Sequence, residues 1–257
     1  TALDGAHDGL NVLCVDTWVH DGRLFVASGG ADKTLRLHAA TGGDVSLAPV
    51  ATLALPAPVV DTRFQPTNTE TTLVAAALLD GSVAVGRASP TSLEAVWQAR
   101  PHTKFVTRVR WAPGGSTLAS ASHDATVCMW SVDPDGGVDE ASLRRLSFNA
   151  SIASLSVVTV GEGALCSSAT HFAVIGVTGG PTLFYCNLAD GTLSRVGLSE
   201  DSLPAVPGSA ATPDTDFAHI GYSVLDTAAS PDGSRLAVAG DHGLVAVVPP
   251  GSSTPMR

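Results

Sequence analysis

The sequence predicts an all-β chain built from repeated antiparallel sheets, and three observations carry that prediction. Apolar and polar residues alternate with period two in short runs rich in β-branched side chains, as in VTRVRW at 106–111. Turn residues punctuate these runs, with 26 Gly and 16 Pro in 257 residues. One pattern of strand, turn and polar residue also recurs along the chain, the mark of an internal repeat. Apolar stretches such as LVAAALL at 73–79 fall well short of the ~20 residues that span a membrane as a helix. With 44% hydrophobic and 15% charged residues the chain is too apolar for a disordered polymer. A chain of this length buries roughly 70% of its extended surface without disulfides or metal.

The clearest unit is HTKFVTRVRWAPGGSTLASASHDATVCMW at 102–130. It reads as a strand over 106–111, a Pro-Gly-Gly turn, a strand over 117–122, a turn at His123-Asp124 and a third strand ending in Trp130. The pattern recurs at 7–38, where His7 opens it, LFVASGG forms the second strand, Asp32 makes the turn and TLRLH the third. Six residues separate turn Asp and strand end in both units, Asp32 to His38 and Asp124 to Trp130. Weaker copies span 58–86, with Asp80, and 222–248, with Asp241. Between them 152–188 repeats the strands but places Gly180 at the turn. Fourth strands are read at 143–149 and 191–197, while Ser-, Pro- and acid-rich 198–216 reads as a polar insertion.

Turn positions 32, 80, 124, 180 and 241 recur every 44 to 61 residues, close to the ~40–45-residue period of a four-stranded propeller blade. At this point the chain resembles the WD-repeat (tryptophan–aspartate repeat) β-propeller family: strongly at 102–130, well at 7–38, and in pattern elsewhere. The resemblance implies a single β-propeller domain over 1–257, of four-stranded antiparallel blades. About five blades are recognisable, with cores near 7–45, 58–97, 102–149, 152–197 and 222–248. The family closes with seven as a rule, so the expectation is an incomplete or open ring, a segment of a longer polypeptide or one completed by a partner. By the same resemblance a structural tetrad ties the strands of a blade: His102, Ser120, Asp124 and Trp130 in the third, His7, Ser28 and Asp32 in the first, with His38 replacing Trp. The second and fifth blades keep Asp80 and Asp241 but carry Ala76 and Ala237 at the Ser position. The fourth has Gly180 and Cys186 where Asp and Trp would stand.

Composition and motifs exclude several chemistries. Asp and Glu number 24 against 14 Lys and Arg, a formal charge of −10, which disfavours direct binding of nucleic acid or an anionic membrane. The cysteines, Cys14, Cys128, Cys166 and Cys186, form no CxxC and read as buried reduced thiols. His-Ser-Asp sets also make hydrolase triads, but no GxSxG elbow occurs and the sets repeat at fixed register, which structure explains and catalysis does not. The histidines are scattered singly, without HxH or HExxH spacing, and no GK[ST] phosphate cradle is present. No catalytic residue, metal site or cofactor is predicted.

The function expected is a non-catalytic protein–protein interaction scaffold or subunit of a larger complex, binding protein partners through one loop face. In the resembled family, contacts cluster on the loops between strands d and a and between b and c. Carried over, these positions are Val60, Lys104, Thr107 and His123. Reduced cysteines, with no basic-then-apolar leader in TALDGAHDGL, point to the cytoplasm or nucleus. The alternative is a propeller enzyme, a metal-dependent hydrolase or lactonase, which needs carboxylates on the channel; the first strands offer Asp61 and Asp226. A reader of modified lysine would need an aromatic cage, toward which Phe105 alone is placed.

Overall fold

The computed structural model describes residues 7–41, 46–66, 69–133, 135–160, 170–180, 182–197, 224–230, 235–240 and 245–250. Every regular element among them is a strand. Where one domain is expected, the chain divides into two compact units, Thr1–Ser147 and Phe148–Arg257, with the boundary between the third and fourth blade cores.

The first unit holds three four-stranded antiparallel sheets, each in simple sequence order. They are β1 (Val12–His20), β2 (Arg23–Gly30), β3 (Thr34–Thr41) and β4 (Ser46–Ala54); β5 (Val59–Phe64), β6 (Thr72–Leu78), β7 (Val83–Ala88) and β8 (Leu93–Ala99); and β9 (Val106–Trp111), β10 (Thr117–Ser122), β11 (Thr126–Val132) and β12 (Val138–Ser147). The second unit holds β13 (Ile152–Val160), β14 (Thr170–Val177), β15 (Thr182–Asn187) and β16 (Leu193–Gly197), then a sheet described as three strands, β17 (Val224–Ala229), β18 (Leu236–Gly240) and β19 (Val245–Val248). Strands β9 and β10 have the bounds read from the sequence. The fourth strand of the third sheet starts five residues before the expected 143, because Val138 and Asp139 still pair with Val132 and Ser131.

The core lies between sheets rather than within a single layer. Trp18, Phe25, Leu35 and Leu37 of the first sheet pack against Phe64, Val74 and Leu93 of the second. Leu73 and Val85 on the other face of the second meet Val109, Trp111 and Trp130 of the third. This is why β6, TLVAAAL, is buried at every residue: it is covered on both faces, and the period-two pattern gives way to a continuous apolar run. In the second unit Phe172, Leu183 and Tyr185 pack against Val224, Leu236 and Val238 in the same manner.

Each first strand carries a one-residue bulge at its second position, at Leu13, Val60, Thr107, Ala153 and Leu225. A bulge adds twist and re-aims the side chains that follow. Opposite the residue after each bulge stands a small residue on the second strand: Gly29, Ala77, Ala121, Gly176 and Ala239. Gly29 shows why, since a Cβ there would lie 2.5 Å from Val59 Cγ1 of the next sheet. The sheets touch at this point and leave no space for a side chain.

Polar ties cross the same layers. The Phe64 amide donates to Asp16 Oδ2 at 2.7 Å, and the Val109 amide to Asp61 Oδ2 at 3.0 Å. Asp61 is 4% exposed and also accepts from Arg110 Nη1 at 2.6 Å, with Arg63 Nη1 at 3.5 Å. The expectation that Asp61 is offered to the channel is therefore corrected: two guanidiniums and an amide use it up within the interface. Asp226 is exposed on β17.

Candidate functional site

In an up-and-down four-stranded sheet, the connection into the first strand and the turn between second and third strands lie at the same end. One hydrogen bond fixes that end in four blades. The amide of Ala31 donates to Asn11 O, Leu79 to Pro58 O, His123 to Phe105 O and Thr178 to Ser151 O, at 2.9–3.1 Å. Each acceptor directly precedes its first strand. This end carries both the tetrads and the expected partner-binding residues.

In the first blade the polar residues form a continuous chain. His7 Nδ1 stands 2.8 Å from Asp32 Oδ1, His7 Nε2 2.9 Å from Ser28 Oγ, and Ser28 Oγ 3.1 Å from His38 Nε2. With Nδ1–H donating to the carboxylate, Nε2 accepts from the serine hydroxyl, which accepts from His38. Arg36 Nη2 closes on Asp32 Oδ2 at 2.8 Å. Burial alone would raise the Asp32 carboxyl, but hydrogen bonds from His7 and Thr34 outweigh it and lower it to about 2.

The third blade departs from the expected tetrad at one residue. His102 Nε2 meets Ser120 Oγ at 2.7 Å, and His102 Nδ1 lies 3.4 Å from Asp124 Oδ2 and 2.9 Å from Thr126 Oγ1. Thr126 donates to Asp124 Oδ1 through both its hydroxyl, at 2.6 Å, and its amide, at 3.0 Å. The Thr103 amide adds a bond to Oδ2 at 2.9 Å. Burial lowers the His102 imidazole below its ordinary value against the pull of Asp124, and Asp124 is lowered by Thr126 and Thr103 despite its burial. Trp130 pairs across the ladder with Leu118, not Ser120, and its indole sits edge-on to Trp97 at 5.4 Å. Among the described residues it donates no hydrogen bond, so the chain stops at Ser120 and Trp130 is a packing residue.

A signal the motif reading missed is Asp-x-Thr/Ser. Asp32-Lys33-Thr34, Asp80-Gly81-Ser82 and Asp124-Ala125-Thr126 all return the Asp Oδ1 to the amide two residues on, at 3.0–3.1 Å. The middle residue is left-handed each time, with φ of 64°, 94° and 67°. Ala76 of the second blade is fully buried, in keeping with a blade that has no histidine to bond. Ser28 and Ser120 are 5% and 0% exposed, so neither hydroxyl reaches solvent as a nucleophile would. Ala237 lies on β18, Asp241 and Cys166 outside the described residues. Burial pushes the Cys14 and Cys128 thiols up to about 12 and about 11, while Cys186 is buried on β15. Among the described residues no group of three His, Cys, Asp or Glu side chains is placed to hold a metal ion.

Of the expected partner-binding residues, Lys104 is exposed, while Val60, Thr107 and His123 are half-buried. Thr107 donates to Ala121 O at 3.1 Å, and His123 stacks on Phe105 at 4.8 Å and 20°. Beside them are three apolar residues that the sequence reading passed over or mentioned for another reason: Leu10, Leu79 and Phe105, which are 55%, 50% and 36% exposed. Their burial could not be read from hydrophobicity, since each follows or precedes strand residues of the same type.

Sequential four-stranded antiparallel blades define a β-propeller fold, and His-Ser-Asp chains tie the first and third of them. Residues 2–38 and 94–131 match the family model "WD domain, G-beta repeat", and these are the two stretches that carry the His-Ser-Asp chains. Among solved structures the chain is similar to Saccharomyces cerevisiae Sqt1, with a TM-score of 0.68, 13% identity and 93% of this chain covered. The match covers 60% of that structure's chain. No curated protein matches the sequence.

Proposed function

We propose that this chain is a non-catalytic scaffold, or a subunit of a larger complex, that binds protein partners through the end of the blades formed by the d–a and b–c loops. The observation that carries this reading is the exposed apolar arc of Leu10, Leu79 and Phe105 on the first unit, set among turns held by one repeated hydrogen bond. Exposed aliphatic and aromatic side chains on rigid turns are what a partner buries at low entropic cost. Lys104 and His123 flank Phe105 and add a polar rim. The excess of carboxylates argues for protein rather than nucleic acid or an anionic membrane as the partner. The cytoplasm or nucleus is the compartment that suits its thiols.

Completion of an open ring by another segment or chain belongs to the same proposal. In support, the match to Sqt1 spans 60% of that chain. On β1, Val15 and Val19 are 56% and 58% exposed, on the face turned away from the second sheet.

Affinity purification of the intact chain with quantitative mass spectrometry tests the reading. Stoichiometric partners should be lost in Leu79→Glu and in the Lys104→Glu/His123→Glu pair, and kept in Glu70→Lys at the opposite end. Equal loss in all variants, or hydrolysis of a small ester or lactone by the pure protein, would overturn it.

A further inference from the structure

The fourth blade has lost its turn carboxylate but kept the group that binds one. Thr182 occupies the register position of Thr34 and Thr126: it opens the third strand, two residues after the turn position. In the first and third blades that threonine gives its hydroxyl to the Asp two residues earlier, at 2.8 and 2.6 Å. In the fourth blade the residue two earlier is Gly180, and a Cβ built there meets nothing within 4 Å. Phe148, four residues before its first strand as His102 is, turns to Phe184 at 5.1 Å and brings no imidazole.

What remains is a cavity of about 410 Å³ lined by Asn149, Val177, Thr178, Gly180, Thr182, Phe184 and Arg195, among others. Thr182 is 9% exposed, and among the described residues nothing accepts from its hydroxyl. Among the described residues Arg195 has no carboxylate partner, and no Asp or Glu lines the cavity. A threonine hydroxyl without an acceptor and a guanidinium without a carboxylate among the described residues, both lining one cavity beside the position of the missing turn Asp, make an anion site.

We infer that this cavity receives the side-chain carboxylate of an Asp or Glu from a partner polypeptide, which takes the place of the missing turn Asp. The Thr182 hydroxyl donates to one oxygen and the Arg195 guanidinium to the carboxylate, while Phe184 and Val177 cover the adjoining aliphatic carbons. The occupant's being a polypeptide rests on the proposed scaffold role; the site itself rests on the fourth blade alone. The two fail separately, since Lys104 and His123 belong to other blades.

The test is titration of the full chain, followed by amide NMR, with acetyl-Gly-Asp-Leu-Gly-amide, its Asn counterpart and inorganic phosphate. Saturable shifts confined to the amides around Thr178–Thr182 are expected for the Asp peptide, with at least tenfold weaker binding of the Asn peptide. Arg195→Gln, at an exposed position that leaves the fold intact, should weaken the Asp peptide at least fivefold. Gly180→Asp should abolish its binding by refilling the position with the chain's own carboxylate. Equal binding of Asp and Asn peptides, no saturable binding, or saturation by phosphate without the Asp peptide would each overturn the inference.

Discussion

A single residue change separates the two roles within the third blade. Asp124 accepts from two amides and a hydroxyl, so Asp124→Ala should cost about 1–3 kcal/mol through donors left unsatisfied. Trp130 should behave otherwise. Trp130→Ala opens a cavity worth about 3–5 kcal/mol, whereas Trp130→Phe, which removes an indole N–H that bonds nothing among the described residues, should cost less than about 1.5 kcal/mol. Urea melts of the three variants check this, and a Phe variant as damaging as the Ala variant would restore the indole to the chain. Protonation gives a second measurement. Burial holds His102 and His38 below 6.5, so the unfolded chain takes up those protons first. Their contribution is whole above 6.5 and is lost as pH falls below it. Asp32 is lowered to about 2 from 3.8, so its contribution is kept above 3.8 and lost as pH falls toward 2. Stability followed by urea midpoint should thus decline in two separate acid windows, with Asp32→Asn shrinking the lower one, to which Asp124 also contributes. The His, Ser and Asp positions were legible because hydrogen-bonded residues must recur at fixed register. The idle indole was not, since which residues face each other across a ladder is set by pairing.

Between elements, burial of a charge decides more than its presence. Asp61 binds the third sheet to the second through the Val109 amide and Arg110, whose side chain is 16% exposed. Removing one partner of such a pair leaves the other buried without compensation. Asp61→Ala should therefore destabilise by about 3–5 kcal/mol, while Asp226→Ala, at an exposed position where water can take over the lost bonds, should cost less, about 1 kcal/mol. Thermal unfolding of the pair checks it; comparable losses would mean that Asp226 is shut off from water as Asp61 is. From sequence the two look alike, each two residues into a first strand after a valine. Packing tells them apart: Arg110 of the facing strand β9 stands 2.6 Å from Asp61, and Arg63 of its own strand 3.5 Å.

At the scale of the molecule, far-ultraviolet circular dichroism should show less than about a fifth helix, since every regular element described is a strand. The class of fold was available from the sequence because its causes are local. Alternation sets strand faces, turn residues end strands, and a repeated period can bury its faces only by stacking copies of the same unit. The five blades, the turns at Asp32, Asp80 and Asp124 and the bounds of β9 and β10 follow from those rules. What only the tertiary structure decided depends on neighbours distant in sequence. It determined that Asp61 is consumed between sheets, that Gly29 is required by Val59 at 2.5 Å, and that Leu79 is exposed beside the fully buried Leu78. It also determined that the Gly180 turn leaves a cavity rather than a collapsed loop. Sequence records which residues are present; the space and charge around each depend on the blade that packs against it.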